Sequence, residues 1–112
     1  MLIFLGADYQ NIGMSPEEMQ EQMGKWFAWT EKMQNDNVYV SGHALESATV
    51  RHVSGPERTV TDRAGTEIKE LVGGYYIIKV PDLEAAMKVA ENYPDYDIGG
   101  TVEIREVMEF NK

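Results

Sequence analysis

Gly73-Gly74-Tyr75-Tyr76-Ile77-Ile78-Lys79-Val80, stopped by Pro81-Asp82, is the stretch that decides the fold. An unbroken run of aromatic and β-branched residues reads as a strand. Side chains alternate across a strand, so Tyr75 and Ile77 share one face and Tyr76 and Ile78 the other. Both faces are apolar. The opening run behaves alike, with Leu2 and Phe4 against Ile3 and Leu5. A sheet covered by helices on one side alternates apolar with polar residues. Here the second face must leave water too, since burying each such side chain is worth roughly 1.5–3 kcal/mol. The cover expected is a second copy, docked sheet to sheet across a two-fold axis.

Downstream, Asp82 is placed to cap a helix whose apolar stripe is Leu83, Ala86, Met87 and Ala90. Tyr93-Pro94 ends it. Gly99-Gly100 leads into a last strand, Thr101 to Met108, with Val102 and Ile104 on one face and Glu103 and Arg105 on the other. Upstream, Ser15-Pro16-Glu17-Glu18 is a helix start: a capping serine, a proline at the first turn and a glutamate three residues after the cap. Met19, Met23, Trp26, Phe27, Thr30 and Met33 give that helix its face, with Trp29 off the stripe and available to cover a hairpin or a partner. The helix ends at about Asn35, where an asparagine in the left-handed conformation can replace glycine. Val38 to Leu45 reads as a strand. Thr49 to Val53 and Arg58 to Asp62 flank Ser54-Gly55-Pro56-Glu57 as a hairpin. Arg63 to Val72 is polar and reads as a loop, with one helical turn as the alternative.

The order is β-α-β, an inserted hairpin, then β-α-β. It predicts an α+β, ferredoxin-like βαββαβ sandwich over 1–112, with the hairpin and loop inserted at about 46–72, assembled as a dimer.

The 112 residues carry 10 basic and 19 acidic side chains, a net charge of −9, which argues against nucleic-acid and anionic-membrane partners. There is no cysteine, hence no disulfide, thiolate nucleophile or cysteine-based metal site. Met1 to Leu5 is too short to span a bilayer and lacks the basic flank of a leader peptide. A cytoplasmic location is the expectation. No spacing marks a metal or redox cofactor, and neither is expected. Gly73-Gly74 precedes a strand and so does not form a phosphate loop.

From Thr59-Val60-Thr61-Asp62 onward, the chain resembles the YCII-related proteins of the DGPF-domain type. The likeness is carried by Glu67, Lys69-Glu70, Gly73–Ile78, Asp82-Leu83-Glu84-Ala85-Ala86, Gly99–Arg105 and Val107-Met108-Glu109-Phe110, and by the Leu2–Leu5 and Ser15–Met19 segments. The resemblance implies a bacterial, dimeric α+β barrel built on the ferredoxin-like unit. Related barrels include isomerases and monooxygenases, and some relatives carry a His–Asp pair in the cleft. The chain departs at the signature itself, where Asp-Gly-Pro-Phe becomes Asp62-Arg63-Ala64-Gly65. It also has His43 where relatives commonly have an acid. Histidine changes charge near neutral pH, which a carboxylate usually does not.

The candidate proton-transfer residues are His43, as general base, and Asp62, as its orienter. The alternative for His43 is an ordinary strand histidine, and for Asp62 a turn cap. Arg105 is the best anion binder, because its planar fork can hold a carboxylate twice; it can instead pair with Glu103. Glu67 and Lys69 are candidates for the cleft mouth, or else surface charges. Of Tyr75 and Tyr76 only one can point into the cleft, and the residues do not say which; Tyr76 stands as the ligand-binding candidate. The function these residues predict is binding of a small, anionic molecule in a dimer-supported cleft. Isomerase, lyase or hydrolase chemistry would follow if His43 works there. The alternative is a non-catalytic ligand-binding or protein-interaction module.

Overall fold

The computed structural model describes residues 1–6, 13–46, 49–62 and 72–108. Its elements run β1 (Leu2–Leu5), α1 (Pro16–Asn35), β2 (Tyr39–Ala44), β3 (Arg51–Ser54), β4 (Thr59–Asp62), β5 (Val72–Ile78), α2 (Leu83–Ala90), a 3-10 helix (Pro94–Ile98) and β6 (Thr101–Ile104). Four strands form an antiparallel sheet in the order β2-β5-β1-β6. The β3–β4 hairpin is a separate two-stranded sheet. This is the ferredoxin-like α+β arrangement, with β1 and β5 central.

Local chemistry sets the boundaries. Ser15 Oγ accepts from the Glu18 amide at 3.1 Å, and Glu18 Oε1 accepts from the Ser15 amide at 3.3 Å, a complete capping box at the head of α1. Asn37, with φ 58°, reverses the chain after α1. Asp82 Oδ1 accepts from the Ala85 amide at 2.9 Å and starts α2.

The helices cover one face of the sheet. Leu2 and Phe4 of β1 are buried there with Trp29 and Met33 of α1, Ala90 of α2, and Tyr93. The core is aromatic. Phe4 stacks on Tyr93 with ring centres 5.2 Å apart and meets Trp26 and Tyr76 edge-on at 5.1 Å each. Trp29 stacks on Tyr76 at 5.6 Å, and its Nε1 donates to the Val89 carbonyl, tying α1 to α2.

Three expectations about helix faces need correction. Trp29 is 6% exposed and belongs to the core, whereas Phe27 is 68% exposed. The inward face of α1 runs Gln22, Trp26, Trp29, Met33, rotated from the one through Met23 and Phe27. On α2 the inward residues are Ala86 and Ala90, with Val89 half-buried, while Leu83 and Met87 face outward. Small residues let α2 lie close to the sheet, and the large ones are left outside.

Candidate functional site

The face of the sheet away from the helices is built by alternation. Since Leu2, Phe4, Tyr76 and Ile78 belong to the helix side, Ile3, Leu5, Tyr75 and Ile77 fall on the other. The register then fixes its rows. His43 lies opposite Tyr75, Tyr75 opposite Ile3, and Ile3 opposite Glu103. The next row begins with Ser41 opposite Ile77 and ends at Met1 and Arg105, which join backbone to backbone: the Arg105 amide donates to the Met1 carbonyl at 2.9 Å, and the Met1 ammonium donates to the Arg105 carbonyl at 2.7 Å. Partial burial lowers the pKa of that ammonium. The open face therefore has an apolar middle (Ile3, Leu5, Ile77) and polar rims, β2 on one side and β6 on the other.

A bulge decides which residues of β2 reach this face. The pairing shifts between Tyr39 and Ser41, so Tyr39 pairs with Ile78 on the helix side while Ser41 pairs with Ile77 on the open side. His43 follows Ser41 outward. Gly42, between them, lies opposite Tyr76, and a β-carbon there would run into the Tyr76 ring. The glycine lets that ring pack inward, and this holds β2 against β5 where the open-face pair is made.

That pair is His43 and Tyr75. The Nδ1 of His43 is 2.8 Å from the Tyr75 hydroxyl, with the rings 5.7 Å apart at 51°. The hydroxyl can donate to a bare Nδ1 or accept from a protonated one; either bond orients the ring and leaves Nε2 as the nitrogen that Tyr75 does not engage. Tyr75 was the open alternative to the named candidate, Tyr76. The signal that could have found it is the register of β2 on β5, which no local pattern gives.

The other candidates fall as follows. Tyr76 lies on the helix side, half-buried, with its hydroxyl 2.7 Å from Thr30 Oγ1. Burial pushes its pKa up, opposed by that hydrogen bond. Thus Tyr75, and not Tyr76, shares a face with His43. Arg105 stands just past β6, exposed, its Nη1 3.9 Å from Glu103 Oε2. Three inter-strand steps separate the β2 and β6 rims, about 14 Å, so one protomer does not bring Arg105 to His43. Asp62 is the last residue of β4, opposite Arg51 in the hairpin; its side chain lies outside what the structure describes. Glu67 and Lys69 lie outside the described residues. Among the described residues no three His, Cys, Asp or Glu come together as a metal site requires. Nor is any described helix long and apolar enough to cross a membrane.

Two comparisons bear on identity. No curated protein matches the chain. The sequence model of the YCII-related domain matches residues 1–111, thus spanning both halves of the fold, the open face and the hairpin. The chain belongs to the YCII-related domain family.

Proposed function

We propose that the open face of the sheet, roofed by a second copy, binds a small anionic molecule and that His43 moves a proton on it, in isomerase-, lyase- or hydrolase-type chemistry. The observation that carries this reading is the His43–Tyr75 hydrogen bond at the rim of an apolar floor. An exposed imidazole held by Tyr75, with half-buried Ile77 and Ile3 on the two strands beyond it, can act on a ligand whose body rests on the floor. Arg105 sits too far along the same face to serve that ligand within one protomer. A two-fold axis parallel to the strands would lay the β6 rim of one copy over the β2 rim of the other. Arg105 of the second copy would then supply the anion contact to His43 of the first. Asp62 remains the candidate orienter, with Tyr75 in the position to share or replace that role.

The apolar middle of the face favours the second reading, a non-catalytic ligand-binding or protein-interaction module. One experiment separates them. Small mono- and dicarboxylates are titrated into isotope-labelled protein while the His43 ring and the Ile3 and Ile77 methyls are followed by NMR. Exchange of the acids' α-hydrogens with heavy water is measured in parallel. Shifts at these groups that vanish in Arg105→Ala, with exchange that vanishes in His43→Ala, are the expected result. Binding without exchange supports the module; no shift on this face in the presence of any acid overturns the site.

A further inference from the structure

We propose that the β3–β4 hairpin is an arm that packs against a second copy of this chain, an inference that rests on the dimer just described. The hairpin forms a sheet of its own. All ten residues from Arg51 to Val60 are exposed. Val53 and Val60 lie directly opposite each other across the two strands, 57% and 62% exposed. A lone two-stranded hairpin is marginal in water, and a cross-strand valine pair stabilises it only when the pair is covered. The turn is well made: Gly55, at φ 73°, and Arg58, at φ 55°, close it, with the Arg58 amide donating to the Gly55 carbonyl at 3.1 Å. An ordered hairpin with an uncovered apolar pair is shaped for contact with another surface.

Three observations make that surface a second copy. First, the area of the open sheet is too small for a stable dimer by itself. The four strands run from four to seven residues, about five on average, and span roughly 19 by 18 Å. Even doubled for side-chain relief, that is about 700 Å² per copy, against the roughly 800 Å² a standard interface buries on each partner. A hairpin face of about 300 Å² on the same basis brings the total past that level. Second, the charge is right. The chain carries −9, yet within 49–62 Arg51 and Arg58 balance Glu57 and Asp62. The hairpin itself adds nothing to the repulsion between two acidic copies. Third, the protomer is extended. Its radius of gyration is 15.8 Å and its extents are 49 × 45 × 18 Å. A compact chain of this length has a radius near 13 Å, roughly.

The test is the double variant Val53→Thr/Val60→Thr, which keeps the β-branched shape and removes the apolar surface. Sedimentation equilibrium of the full chain should show a dimer for the natural sequence. The variant's dissociation constant should rise about a hundredfold, with an unchanged far-ultraviolet dichroism spectrum. Amide hydrogen exchange of the natural chain provides the second measurement. The amides at 51–62 should slow markedly from dilute to concentrated protein. Unchanged dimer affinity in a folded variant, or hairpin exchange independent of concentration in a chain that dimerises, overturns the arm and leaves the sheet-face dimer standing. A natural chain that stays monomeric at every concentration overturns both. If the variant fails to fold, the exchange measurement decides.

Discussion

Asp95, in the 3-10 helix, is 2% exposed, and a buried carboxylate has to find donors. Its Oδ1 accepts from Gln22 Nε2 at 2.7 Å and from Trp26 Nε1 at 3.0 Å, and Gln22 also donates to the Pro94 carbonyl at 2.7 Å. One carboxylate thus pins the inward face of α1 to the segment between α2 and β6. Asp95→Ala removes the acceptor that Gln22 and Trp26 share and should cost about 2–4 kcal/mol of stability by urea unfolding. Asp95→Asn keeps an acceptor and should cost less than half as much. Tyr93 sits beside this group, and burial first, then the Asp95 charge, push its ionisation above the ordinary tyrosine value of 10.0. Burial also raises Tyr76 and Tyr96. The sign follows from linkage. As pH rises past about 10 the unfolded chain loses its phenol protons before the native one does, so stability is intact below that pH and falls above it. Thermal unfolding between roughly pH 9 and 11 should show the decline, and Tyr93→Phe should flatten it without abolishing it, because Tyr76 and Tyr96 keep their share.

Among the elements, α1 is the one whose ends and face were unequally legible. Its start was plain because a capping box is local chemistry, written in Ser15 to Glu18. Ser15→Ala should lower stability by about 1 kcal/mol, measured by denaturant unfolding. Its inward face was not plain. Trp26-Phe27-Ala28-Trp29 offers two apolar stripes about 100° apart per residue, and the helix alone cannot choose between them. The choice is made by Phe4 and Tyr76 on the sheet, which accept Trp26 and Trp29 edge-on and stacked. Gln22 looks like a surface residue until Asp95, 73 positions away, is placed beside it. The same physics hid half of the site. His43 stood out by residue type, but its partner depended on the register of β2 on β5 and on the bulge before Ser41. Gly42 holds that register. Its β-carbon would meet the Tyr76 ring and, at 2.7 Å, the Tyr75 carbonyl. Gly42→Ala should therefore destabilise the protein by about 1–3 kcal/mol. It should also broaden the His43 and Tyr75 side-chain NMR signals, since the pair is made one residue away on the opposite face.

At the scale of the molecule, the two central strands announced their architecture because they are apolar on both faces, and the described helices lie on one of those faces. The charge of the chain gives the assembly a testable signature. Two copies at −9 repel each other at long range, while the surfaces proposed to meet are Ile3, Leu5, Ile77, Val53 and Val60. An apolar contact between like-charged molecules is weakened by the Coulomb field around it and relieved when salt screens that field. From about 0.02 M to about 0.5 M salt the screening length shrinks from roughly 20 Å to roughly 4 Å. The dimer dissociation constant should therefore fall several-fold over this range, read by sedimentation equilibrium. An interface held by ion pairs would respond in the opposite sense, because screening loosens attraction as readily as repulsion. Glu103 and Arg105 lie at the rim of the open face, where such pairs would form. A dissociation constant that rises with salt would move the source of dimer affinity from the apolar middle to that rim.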